Sequence, residues 1–95
     1  MIKFIVVEDN KTIQEKIKKL LVKISININQ DYEAKYFEKY NKELQKEIND
    51  QTQRKVYIMD IELENSISGI EVAQKIREND WDSEIIFVTS HDKMF

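Results

Sequence analysis

Val56-Tyr57-Ile58-Met59-Asp60 is the stretch on which the reading of this chain turns. It is an unbroken apolar run, too short for a helix, and a run of that kind suits a strand covered on both faces. It ends on a carboxylate. Upstream lies the polar break Asn49 to Gln53, and before it Tyr40, Leu44 and Ile48 recur every four residues in Lys/Glu-rich sequence, which predicts an amphipathic helix. Tyr32 to Phe37 reads as a short strand, and Ser25 to Gln30 as a helix end and connector. Ile13, Ile17, Leu20, Leu21 and Ile24 form the stripe of another amphipathic helix, with Lys11, Lys16, Lys18, Lys19 and Lys23 mainly off it as a solvated face. The first residues, Ile2 to Val7, repeat the opening pattern: a β-branched and aromatic run that ends on acids, Glu8-Asp9.

Downstream, Ser68 and Glu71 have the spacing of a capping box, and Ile70, Ala73 and Ile76 continue as a helical stripe to about Glu78. Glu84 to Thr89 is a further buried-type strand, followed by Ser90 to Phe95. Strands alternating with helices predict an α/β fold, an open parallel sheet with helices on both faces. The 95 residues suffice for one small domain. A net charge of -3 argues against a nucleic-acid module, whose phosphate contacts demand a basic face. With no Cys and the single His91, thiolate and His-cluster metal sites are excluded. One Gly and no Pro exclude Gly-rich phosphate loops. The apolar start is cut short by Glu8-Asp9, too early for a signal segment or a membrane span, so a cytoplasmic protein is expected.

Three apolar strands close on polar groups: Glu8-Asp9, Asp60 and Thr89-Ser90. In an open parallel sheet these ends share one edge, where ligands bind. Carboxylates converging there repel one another unless a cation sits among them, and a hard oxygen-seeking ion such as Mg²⁺ fits. A hydroxyl from Thr89 would complete a pocket for a phosphoryl group. Two tempting features carry less. Ser90 and His91 are adjacent, so on an extended chain they point to opposite sides and make no nucleophile-base pair. Trp81, between Asp80 and Asp82, reads as a loop aromatic covering the edge of the sheet.

Val6-Val7-Glu8-Asp9-Asn10, Tyr57 to Leu63, Ser68-Gly69-Ile70-Glu71-Val72-Ala73 and Ile86-Phe87-Val88-Thr89-Ser90-His91 together resemble the receiver domain of two-component response regulators. The branch they are most similar to is the LytTR type, including the accessory-gene regulators. The resemblance spans essentially the whole chain and implies a flavodoxin-like, CheY-like receiver with strand order second, first, third, fourth, fifth. It implies Asp60 as phosphoacceptor, and Glu8, Asp9, Asp60 and the backbone carbonyl of Glu62 as Mg²⁺ ligands. Thr89 would contact the phosphoryl group, a sensor histidine kinase would supply it, and Gly69 would let the chain enter the third helix tightly.

Receivers of this kind continue into a fourth helix, a fifth strand bearing a Lys and a fifth helix. Residues 1–95 therefore correspond to the N-terminal part of such a domain, with Lys93 a poor substitute for that Lys, and DNA contact would belong to a C-terminal output domain outside this sequence. Without that Lys, weak or unstable phosphorylation is expected. An unpaired Ile85-Ile86-Phe87-Val88 edge predicts a homodimer or higher assembly, through the fourth strands or by exchange of elements, with Met94 and Phe95 packed into the contact. Two other classes compete with the signalling module. A Mg²⁺-dependent aspartyl phosphatase of haloacid-dehalogenase type would explain Asp60-Ile61-Glu62 after a buried strand, but that family usually has a second Asp two residues on and an N-terminal nucleophile. A dimerisation module that is never phosphorylated would explain the sheet alone.

Overall fold

A computed structural model describes residues 1–63, 67–80 and 82–88 of the chain. Its elements are β1 (Ile2–Val7), α1 (Lys11–Ile28), β2 (Tyr32–Phe37), α2 (Lys42–Asn49), β3 (Lys55–Asp60), α3 (Gly69–Asn79) and β4 (Glu84–Val88). The strands form one parallel sheet in the order β2-β1-β3-β4. The chain leaves β1 toward β2 and then returns past β1 to reach β3, so the direction of winding reverses between β1 and β3. At such a reversal the loops leaving the two strands diverge and open a crevice at their C-terminal ends.

Alternation along the central strands divides the core in two. Ile5, Val7, Tyr57 and Met59 pack under Leu44 and Ile48 of α2 and Val72 and Ile76 of α3. Val6 and Ile58 pack on the other face under Ile17 and Leu21 of α1. Strands covered on both faces have no polar side to present, which is why these runs read as continuous rather than alternating.

The helices keep their expected periods but not all their expected phases. In α1 the buried residues are Gln14, Ile17 and Leu21, whereas Leu20 and Ile24 are exposed. Gln14 is drawn inward because its amide donates to the backbone carbonyl of Glu8. The segment after Ile24 is not a connector: α1 continues to Ile28 and stops at Asn29, which adopts the left-handed conformation (φ 52°) that Asn tolerates. Gln30 N–H then closes the end on the Ser25 carbonyl at 3.0 Å. In α3 the buried face is Gly69, Val72 and Ile76, and Ile70 is exposed. The capping box forms, with Ser68 Oγ accepting from Glu71 N–H at 3.2 Å and facing the Glu71 carboxylate. Asn41, not Tyr40, starts α2 by accepting from Leu44 N–H at 2.9 Å.

Among the described residues, no helix is long and apolar enough to cross a membrane.

Candidate phosphoryl and metal site

The β1/β3 crevice gathers the acids that the sequence spaced 51 positions apart (60 minus 9). Glu8, Asp9 and Asp60 each offer a carboxylate oxygen, and these oxygens all lie within 4.8 Å of one another. Glu8 is fully buried and Asp60 is 2% exposed, so two of the three carboxylates have lost nearly all contact with water.

Local structure explains how each is held. Glu8 extends the β1–β2 ladder by donating its N–H to the Phe37 carbonyl at 2.9 Å. Its Oε2 accepts from Asn10 N–H at 3.1 Å, and the Asn10 side chain caps α1 through Ile13 N–H, also at 3.1 Å. The same three-residue stretch thus ends a strand, aims a carboxylate into the crevice and starts a helix. Asp60 Oδ1 accepts from Glu62 N–H at 3.2 Å, which turns the chain around the carboxylate. Gly69 N–H bonds to the Ile61 carbonyl at 2.8 Å. A Cβ added at Gly69 would overlap the Asp60 carbonyl oxygen and lie 3.0 Å from Ile61 Cα. The absent side chain is what lets α3 start directly against the end of β3, as expected, through close approach rather than an unusual φ.

The electrostatics follow from gathering three carboxylates in a buried crevice. Glu8 Oε1 is buried without a hydrogen-bond partner. Burial drives the Glu8 carboxyl up to about 7, the Asn10 N–H works against that, and the neighbouring Asp60 and Asp9 carboxylates add to it. Leaving a buried acceptor unsatisfied costs roughly 1–3 kcal/mol, so the arrangement persists only where something else repays it. Three oxygens of this hardness fit a Mg²⁺ ion that keeps several waters. Such an ion would satisfy Glu8 Oε1 and remove the repulsion at once.

Of the residues predicted for the site, Glu8, Asp9 and Asp60 come together, and Glu62 is tied to Asp60 by its N–H. Thr89 lies outside the described residues, as do Trp81, Ser90, His91, Lys93, Met94 and Phe95. Two supporting residues lie outside the predicted set. Gln14 and Asn10 are polar residues around the start of a helix, and Asn10 was legible as an N-cap immediately before an amphipathic stripe. Gln14 carries no such signal.

A model of the response regulator receiver domain matches residues 4–95. In structure, the chain is similar to the MaeR response regulator bound to beryllium trifluoride, with a TM-score of 0.73 and 20% identity, covering 98% of this chain and 70% of that one. At that identity the likeness speaks to the fold alone, and the fold agrees strand for strand with the order expected. No curated protein matches the sequence significantly. With a four-stranded parallel sheet, an acidic crevice at its winding reversal and a family match over nearly its whole length, the chain belongs to the response regulator receiver domain family.

Proposed function

We propose that this chain is the phosphoaccepting receiver of a two-component response regulator, with Asp60 as the acceptor. The observation that carries the reading is the convergence of Asp60 with Glu8 and Asp9 in a buried crevice where Glu8 Oε1 has no partner. A carboxylate is a competent nucleophile for an acyl phosphate. An Asp60 oxygen attacks phosphorus of a phosphohistidine on a sensor kinase, the O–P bond forms as the P–N bond breaks, and the imidazole nitrogen leaves with the electron pair. Glu8, Asp9, Asp60 and the backbone carbonyl of Glu62 would hold Mg²⁺, which when bound would supply positive charge to offset that gathering on the phosphoryl oxygens. Glu62 N–H, already on Asp60 Oδ1, orients the carboxylate so that its other oxygen is presented for attack. Thr89, immediately after β4, supplies the hydroxyl contact to the phosphoryl group.

The Val88-Thr89-Ser90-His91 sequence supports the LytTR branch, and with it a cytoplasmic transcriptional regulator whose DNA contact is made by a separate output domain. Residues 1–95 form the receiver portion in that reading. Incubation with acetyl phosphate and Mg²⁺, followed by intact mass, tests the acceptor. The chain gains a single phosphoryl group in low or short-lived yield, and Asp60→Asn gains none. An equal adduct on Asp60→Asn contradicts the assignment.

A further inference from the structure

The outer edge of β2 pairs with no strand among the described residues. We propose that this edge is an interface with a second copy of this chain, in which two β2 strands pair antiparallel about a two-fold axis at Ala34. Ile2 N–H bonds to the Asp31 carbonyl and Glu8 N–H to the Phe37 carbonyl, so odd-numbered residues of β2 direct their backbone groups at β1. By the alternation of a strand, Tyr32, Ala34 and Tyr36 direct theirs outward. An antiparallel ladder built on these outward groups admits three central registers: a dyad at Glu33, at Ala34 or at Lys35. A dyad at Glu33 sets Glu33 against its own copy, and one at Lys35 does the same with lysines. Only Ala34 sets Glu33 beside Lys35 of the second copy, twice, in the non-hydrogen-bonded positions where side chains lie closest, with each Lys35 also holding Glu47 of its own chain. The same register sets Tyr32 opposite Tyr36 on the other face and the smallest side chain on the axis.

The helix above agrees with that register. Lys18 Nζ lies 5.2 Å from the centre of the Tyr36 ring, which places this flank of α1 over β2. Val22 and Ile26 follow at four-residue intervals on the same stripe and are 45% and 72% exposed. Four helical residues rise ~6 Å, about the distance two residues travel along a strand, so Val22 sits level with Ala34. The two-fold axis then brings Val22 toward its own copy and buries both. Antiparallel pairing also sends the two acidic crevices to opposite edges of one sheet that is continuous through both β2 strands, leaving both accessible.

The register is tested directly, because the chain has no cysteine. Ala34→Cys forms a disulfide-linked dimer under mild oxidation, its two Cα atoms standing about 5.5 Å apart, within bridging range. Tyr36→Cys does not, being displaced by ~14 Å from its own copy. In sedimentation equilibrium up to ~100 μM, a range suited to a small interface, the unmodified chain dimerises. Glu33→Lys weakens it ~10-fold or more, and Glu33→Gln weakens it less. Ala34→Pro, which removes an outward N–H only, leaves a folded monomer. A folded monomer for the unmodified chain over the whole range overturns the proposal. So does equal cross-linking of Tyr36→Cys and Ala34→Cys, or a dimer insensitive to Glu33→Lys and lost in Ile86→Lys, which would put the contact at β4.

Discussion

The two ends of the sheet bury charge in opposite ways. At the N-terminal ends of the strands, Lys3, Lys55 and Glu47 are all buried, and each is answered. Lys3 Nζ stands 2.8 Å from Glu47 Oε1, Lys35 holds the other oxygen, and the Lys55 ammonium donates to the carbonyls of Glu47 and Asp50. Lys55 thereby closes the C-terminus of α2, where the helix dipole favours a cation. Burial tends to raise the Glu47 carboxyl, but the Lys3 and Lys35 ammonium groups overcome it and hold the group below its ordinary range. At the C-terminal ends, three carboxylates meet and Glu8 is pushed up to about 7 by burial, with the other two acids adding to it. Charge compensated within the chain secures α2 to the sheet. Like charge gathered at the other end is what raises Glu8 and what the proposed Mg²⁺ site would answer.

Substitutions should separate these two kinds of burial. The largest effect is expected from Glu47→Ala, which strands Lys3 in the interior without its partner. Breaking a buried ion pair from one side costs about 3–5 kcal/mol, enough to unfold much of a small domain, and urea melts read it. Next is Gly69→Ala, whose Cβ has no room beside the Asp60 carbonyl. Moving α3 off the end of β3 should cost about 1–3 kcal/mol and shift the Asp60 and Glu62 amides while leaving Lys3 undisturbed. Glu8→Gln should act with the opposite sign, stabilising the metal-free protein above pH 7 while abolishing its response to Mg²⁺. Smallest is Asn10→Ala, a lost helix cap worth about 1 kcal/mol, read from the thermal midpoint.

Legibility followed the same division. The acids stand out in the sequence because each ends an apolar strand, and the topology that joins them follows from strands alternating with helices. The Lys3–Glu47 pair does not stand out, because it spans 44 positions (47 minus 3) and no periodicity links a strand to a helix so distant. Lysines near strand starts read as surface. The phase of α3 was missed for a related reason: Ile70 and Val72 are equally apolar, and the choice between them is made by Gly69 lying against Asp60.

The central claim is that Glu8, Asp9 and Asp60 form a cation site, and its most direct test is stability against pH with and without Mg²⁺. The folded value for Glu8, about 7, lies above the ordinary 4.5, so between those limits the native state holds the extra proton. Stabilisation from that proton is complete below 4.5 and is lost as pH rises through 7, amounting to about 3 kcal/mol. Without metal, the unfolding free energy should therefore fall across that window, and the fall should vanish in Glu8→Gln. Saturating Mg²⁺ should abolish the fall, because the ion stabilises the ionised carboxylates that the proton otherwise neutralises. Identical pH profiles with and without Mg²⁺, in a chain whose Glu8 still titrates near 7, would contradict the site.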